Sequence, residues 1–280
     1  MPIDFIGIGV QKAGTTWLHQ MLAEHPEVCV ARGDDKDTQF FSCYYDRGFE
    51  WYERHFADVG GATRRGEIST SYFSCGDAPE RIRHYNPDVR LLLCLRNPVD
   101  RVVSNHRHEI RLGHISGENL SLERALHNNP AYVDQSMYYS HLCRWLESFS
   151  MASFHILVFE ELFADPAVAL EGIYKFLQVR PGLLPPGVKE RVNEGRIPRS
   201  RTLDKRIKIT AMTMRRWGLG WGIEALKAAG LKKLVRGGNT RADDPVPIPP
   251  KVLLTLRARF RTENEKLSRL LGRDLSIWEE

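Results

Sequence analysis

The sequence is poor in cysteine and has no long apolar run. Its five cysteines, Cys29, Cys43, Cys75, Cys94 and Cys143, are odd in number and scattered, without the close spacing of a zinc site. That pattern argues against a disulfide framework and favours reduced thiols in a cytoplasmic setting. No stretch approaches the roughly 20 consecutive apolar residues that span a bilayer. The start, Met1-Pro2-Ile3-Asp4, lacks a basic region followed by an apolar run, so no secretory leader is expected. Internal repeats and a recognisable RNA- or DNA-binding motif are missing as well.

What is present suits one α/β domain. The 280 residues are 42% hydrophobic and 27% charged, enough apolar material for a sizeable core. The formal charge of +5 is unevenly placed. Between Arg196 and Arg241 there are 13 Lys/Arg against two acids, which leaves 27 basic and 33 acidic residues elsewhere. A concentrated basic segment favours an anionic ligand or surface, although a solvated helical face has the same composition.

Short apolar runs at Phe5–Val10, Glu27–Val30, Arg65–Ser69, Val89–Leu95 and Phe154–Phe159 read as strands. Helical periodicity lies between them, at Trp17, Leu18, Met21 and Leu22, and again across Ser136–Phe149. A further helix should start near Pro98, because proline is tolerated in a first turn. Alternation of this kind predicts a central, mainly parallel sheet flanked by helices in three layers, with ligands beyond the carboxyl ends of the strands. After Arg180 the pattern loosens into a basic, less regular C-terminal third. Four prolines fall within Asp243–Pro250, and an amphipathic helix follows over Lys251–Leu271. The expectation is a single domain over 1–280, with a ligand-binding core at 1–180 and a loop and helical extension at 181–280.

Between the first strand and first helix lies Gly9-Val10-Gln11-Lys12-Ala13-Gly14-Thr15-Thr16. Its two glycines have P-loop spacing, which lets backbone N–H groups close on a phosphate at a helix N-terminus. A nucleoside triphosphatase would place lysine directly after the second glycine. Here that position is Thr15, and the lysine has moved to Lys12. Such an enzyme also uses an acid at a neighbouring strand end to hold Mg²⁺, whereas the strand at Val89–Leu95 ends in Arg96. The loop therefore points to a phosphorylated ligand handled without a metal.

These residues resemble the PAPS-dependent sulfotransferases, which use 3′-phosphoadenosine 5′-phosphosulfate, especially the branch of heparan sulfate sulfotransferases and related bacterial enzymes. Four blocks carry the resemblance, in family order: Gln11-Lys12-Ala13-Gly14-Thr15-Thr16, Lys36-Asp37-Thr38-Gln39-Phe40-Phe41, Gly66-Glu67-Ile68-Ser69-Thr70-Ser71-Tyr72-Phe73, and Leu95-Arg96-Asn97-Pro98 with Asp100, Arg101 and Ser104. The likeness is good over about residues 4–180, and Asn193–Arg201 sits where the family keeps a loop that closes on the donor.

The resemblance implies a P-loop-like fold, PAPS as donor, adenosine 3′,5′-bisphosphate (PAP) as product and no required metal. It implies Lys12, Ala13, Gly14, Thr15 and Thr16 around the 5′-phosphosulfate, with Lys12 stabilising charge on the leaving oxygen. Arg96 and Ser104 would hold the 3′-phosphate. Glu67 would be the general base, the alternative being a structural partner of Arg64 or Arg65. Lys36 is expected to position the acceptor or leaving group. His106 or His108 would touch the acceptor or replace Glu67 as base. Tyr138 is expected to line the donor or acceptor pocket, and Gly195, Arg196 and Arg199 to close over the donor.

The partner expected is a small-molecule or carbohydrate hydroxyl, less readily an amine, in a glycan or in a glycosylated or nucleoside metabolite. No nucleic acid is expected, and peripheral membrane contact would follow if the acceptor were a lipid. The rival readings are a P-loop kinase and a non-catalytic anion- or nucleic-acid-binding module built on the basic segment.

Overall fold

The computed structural model describes residues 2–31, 37–56, 61–189, 196–198, 240–242 and 247–279. The chain divides into two units, one of residues 1–192 with 247–280 and the other of residues 193–246. The last helix thus belongs to the same unit as the N-terminal core. In the second unit the described residues form one antiparallel pair, β6 (Arg196–Pro198) with β7 (Thr240–Ala242).

The first unit is built on β1 (Phe5–Gly9), β2 (Val28–Val30), β3 (Arg64–Ile68), β4 (Arg90–Leu95) and β5 (Phe154–Val158). They form a parallel five-stranded sheet in the order β2-β3-β1-β4-β5. The strands start and stop within a residue or so of the expected apolar runs. β1 and Leu91–Leu95 are wholly buried, as a parallel strand covered on both faces must be.

The covering helices are α1 (Thr15–Ala23), α2 (Phe40–Cys43), α3 (Gly48–Glu53), α4 (Ala78–Tyr85), α5 (Pro98–Leu112), α6 (Leu122–Asn128), α7 (Ala131–Asp134), α8 (Tyr138–Leu146), α9 (Phe159–Ala164), α10 (Pro166–Leu177) and α11 (Pro250–Leu271). No helix among the described residues is long and apolar enough to cross a membrane.

Local chemistry explains the helix that matters most for the site. Pro98 opens α5, and the Asn97 side chain accepts from the N–H groups of Val99 and Asp100, so the turn after β4 is capped. Gly113 closes the helix in the left-handed region. α11 lays Val252, Leu256 and Phe260 into an apolar cluster with Val99, Val102, Leu122 and Tyr132. Its Glu263 accepts from the Ser140 N–H and hydroxyl at the start of α8.

Beyond α11, the Trp278 indole donates to Glu160, and the Trp278 carbonyl accepts from Asn97. The C-terminal turn therefore braces the residue next to Arg96. Between β2 and β3, helices α2 and α3 bring Phe40, Phe41, Phe49 and Tyr52 into one aromatic cluster with Tyr85.

Candidate functional site

β1 lies between β3 and β4, so the loops leaving the carboxyl ends of these three strands meet above the sheet. The loop after β1 is anchored where Val10 N–H donates to the Cys94 carbonyl, 2.8 Å away. Lys12 has φ 73° and Gly14 φ 91°, left-handed values that bend the backbone around a hollow.

Helix α1 then starts at Thr15 with no side-chain cap and no acid in its first turn. A helix N-terminus entered through such a loop directs its dipole and N–H groups toward an anion. A Cβ on Gly14 would lie 3.4 Å from the Phe159 ring, so the loop is also held close from outside. Ala13 and Thr15 are buried, while Lys12, Gly14 and Thr16 are partly accessible. Burial, followed by the charges of Arg111 and Arg96, lowers the Lys12 ammonium to about 8. An amine made uncomfortable by neighbouring cations is stabilised by an incoming anion.

Arg96 leaves β4 beside this loop. Its guanidinium donates to the Lys12 carbonyl at 3.3 Å, stacks 4.5 Å from the Phe159 ring centre and lies 3.7 Å from Asp100. Its Nε is buried without a partner, and a buried unpaired donor is costly unless a ligand satisfies it. Tyr138 is a core residue. Its hydroxyl donates to the Arg96 carbonyl at 3.0 Å, and its ring packs on Trp278, so it reaches the site by fixing the backbone of Arg96. Ser104 is partly exposed, nearly two turns into α5.

His106 and His108 separate. His106 is buried against Tyr132 and the Leu120 carbonyl, which removes it from any acceptor. Its place on the Val99–Val102–His106 face of α5 is a helical phase that the sequence carried. His108 is half-buried, and burial together with the Lys12 and Arg111 charges lowers it to about 4. It is neutral at neutral pH and a weak base. Arg101 is likewise a core residue, donating to Ser136, Gln135 and the Tyr132 carbonyl.

The end of β3 departs most from the sequence reading. Glu67 is fully buried. Its Oε1 accepts from the Tyr52 hydroxyl at 2.6 Å and the Tyr72 hydroxyl at 2.8 Å. Its Oε2 accepts from Thr38 at 2.6 Å and Ser69 at 2.7 Å. Burial raises its carboxyl above the ordinary value, opposed by these four hydroxyls.

Neither Arg64 nor Arg65 is among these partners. Arg64 turns to Asp4, Gln178 and the Leu177 carbonyl, and Arg65 reaches the Pro2 carbonyl. With both oxygens occupied and no exposure, Glu67 has no free atom to offer an acceptor.

Asp37, which sequence reasoning passed over, has one carboxylate oxygen without a partner. Its Oδ2 accepts from the Thr70 hydroxyl at 3.0 Å and the Thr70 N–H at 3.3 Å, while its Oδ1 is buried with no partner. The signal available in the sequence was an acid beside Lys36, in the second of the four blocks. Gly9 connects this pair to the phosphate loop. With φ 141°, a Cβ there would lie 3.2 Å from the Thr70 carbonyl.

Lys36, Gly195 and Arg199 lie outside the described residues, and Arg196 is described only as backbone in β6.

Residues 2–194 match the family model of the sulfotransferase domain. The chain is 31% identical over 185 residues to mouse heparan sulfate glucosamine 3-O-sulfotransferase 5, covering 62% of this chain and 53% of that protein. It is 28% identical over 275 residues to mouse heparan sulfate glucosamine 3-O-sulfotransferase 6, covering 95% and 71%. The chain thus spans about half the length of the first of these relatives. The crystal structure of a sulfotransferase from Alicyclobacillus acidocaldarius superposes with a TM-score of 0.70 at 21% identity over all of both chains, a likeness of fold. A phosphate loop whose lysine precedes its second glycine, an arginine in place of a metal-binding acid, the parallel sheet beneath them and a family match across most of its length have one reading: the chain belongs to the sulfotransferase family.

Proposed function

We propose that this protein transfers a sulfuryl group from PAPS to a hydroxyl of a carbohydrate-type acceptor, with Lys12 stabilising the leaving phosphate oxygen and Asp37 taking the proton. One observation carries the reading. The loop carrying Lys12 packs, through Gly9, against the backbone of Thr70, whose hydroxyl and N–H hold one oxygen of Asp37 while the other oxygen has no partner.

The residues present fit such a donor. The α1 N-terminus and Lys12 suit a phosphosulfate, and the unpaired Arg96 Nε suits a second phosphate. Bound PAPS would supply the sulfuryl group, its sulfur–oxygen bond to phosphate breaking as one forms to the acceptor oxygen. Lys12 places a fixed positive charge where the leaving oxygen becomes negative. Asp37 Oδ1 accepts the proton of the attacking hydroxyl, and Thr70 orients the carboxylate through Oδ2. The names of the relatives, which modify glucosamine in heparan sulfate, support a sugar hydroxyl as the acceptor class.

Calorimetric titration with PAP in the presence of EDTA tests the donor site. Tight binding that is lost in Lys12→Ala and Arg96→Ala supports the assignment; binding of ATP only with Mg²⁺ overturns it in favour of a kinase. For the base, Asp37→Asn should lower PAPS turnover with N-sulfated heparosan by about 10²–10⁴-fold and leave PAP affinity unchanged. Wild-type turnover in that variant removes Asp37 from the role.

A further inference from the structure

We infer that Glu67 is a positioning residue, a buried carboxylate hub that holds the Asp37–Thr70 pair in place beside the phosphate loop. The inference rests on the reading of Asp37 as the base. Two of the four hydroxyls on Glu67 belong to Thr38 and Ser69, the chain neighbours of Asp37 and Thr70. A third, Tyr72, belongs to the turn after β3, and the fourth, Tyr52, comes from α3.

Segments 37–42 and 69–72 are joined through side chains. Ser69 Oγ accepts from the Gln39 N–H at 3.2 Å, Tyr72 Oη accepts from the Phe41 N–H at 3.4 Å, and Ser42 and Ser71 share a hydrogen bond of 2.8 Å. Gln39 sits at φ 51°, a conformation a non-glycine residue keeps only when its surroundings hold it. Glu67 accepts hydrogen bonds from both segments and from α3 together.

Burying a carboxylate is a weak route to stability, because an apolar cluster of the same shape does as well or better. What four directed hydrogen bonds provide is a unique geometry. Tyr52 and Tyr72 could serve the surrounding aromatic cluster as phenylalanines; the hydroxyl of each donates to Glu67. The mechanism needs a carboxylate oxygen left free at one point against the loop that carries Lys12, and a misplacement of about 1 Å can lower a rate about 10²-fold. The hub fixes the two residues on which that point depends.

The test is Glu67→Gln, which keeps the shape but turns an N–H toward hydroxyls that need an acceptor. PAPS turnover to PAP, followed with N-sulfated heparosan and with water alone, should fall about 10- to 100-fold while PAP affinity is unchanged. Adding Asp37→Asn to Glu67→Gln should lower turnover much less than Asp37→Asn does in the wild type, because one variant has already undone the other's geometry. Amide hydrogen exchange gives an activity-independent readout. The Gln39 and Thr70 amides should lose protection in Glu67→Gln while those of β1 and β4 keep theirs.

Additive effects of the two substitutions, unchanged protection at Gln39 and Thr70, or a uniform loss across the sheet would each overturn the proposal. If Asp37→Asn turns over normally, the assignment of the base fails, and the amide pattern still decides whether Glu67 holds the pair. Should Glu67→Gln fail to fold, Ser69→Ala removes one hub hydroxyl and is read in the same way.

Discussion

The ends of β1 and β3 lie side by side and are built on opposite principles. After β1, α1 opens at Gly14, which has no side chain to cap it, and Lys12 is half-buried beside Arg111 and Arg96. Nearby, the Arg96 Nε is buried and unpaired. After β3, Glu67 is surrounded by four hydroxyls and lacks nothing. An unmet polar demand marks where a ligand completes the structure, and a fully met one marks scaffold. Asp37 stands at the border, with one oxygen held by Thr70 and the other free. A carboxylate at a strand end is thus not sufficient evidence for a base; the number of donors already bound to it decides.

The comparison can be broken from either side. On the β1 side the largest effect belongs to Lys12→Ala, which should lower sulfuryl transfer by about 10²–10³-fold, the usual consequence of removing one donor to a developing negative charge. Its urea midpoint should stay level or rise, since a cation among cations is removed.

Next comes Gly14→Ala. A side chain at φ 91° facing the Phe159 ring should destabilise the fold by about 1–2 kcal/mol and weaken PAP binding. Urea denaturation and calorimetry measure the two effects.

Lys12 is lowered to about 8, so it is charged below that pH and loses its charge above it. PAP affinity should therefore fall about tenfold between about pH 7 and about pH 9, and the slope should vanish in Lys12→Arg, which stays charged. A flat profile in the wild type would place the lysine away from the anion.

The smallest effect is on the saturated side. Tyr52→Phe removes one of four donors and should cost about 0.5–1.5 kcal/mol of stability with PAP affinity unchanged. A large loss of PAP binding there would erase the distinction between the two strand ends.

Much of the fold was legible because its signals are local. The apolar runs at Phe5–Val10 and Val89–Leu95 are too short and too continuous for surface elements, and they became the buried strands β1 and β4. Pro98 marked the start of α5, and Gly9 and Gly14 marked the phosphate loop between strand and helix. The aromatic segment Phe40–Phe56 was less readable. Its helices are short, and Phe40 and Tyr52 stack at 4.5 Å only because the chain folds back on itself. Within the candidate site, loop spacing and strand ends drew attention to Lys12 and Arg96, whereas Glu67 could not be told from Asp37. Nothing local shows that Thr38, Tyr52, Ser69 and Tyr72 converge on one carboxylate.

The sequence by itself determined the alternation of strands and helices, the parallel sheet and the kind of loop that follows β1, because each depends on periodicity or on glycine and proline at fixed spacing. Only the tertiary structure decided which polar groups are satisfied. Hydrogen-bond demand is met across the fold, by hydroxyls far apart in the chain, and the choice between a buried hub and a free carboxylate exists only once those residues have been brought together.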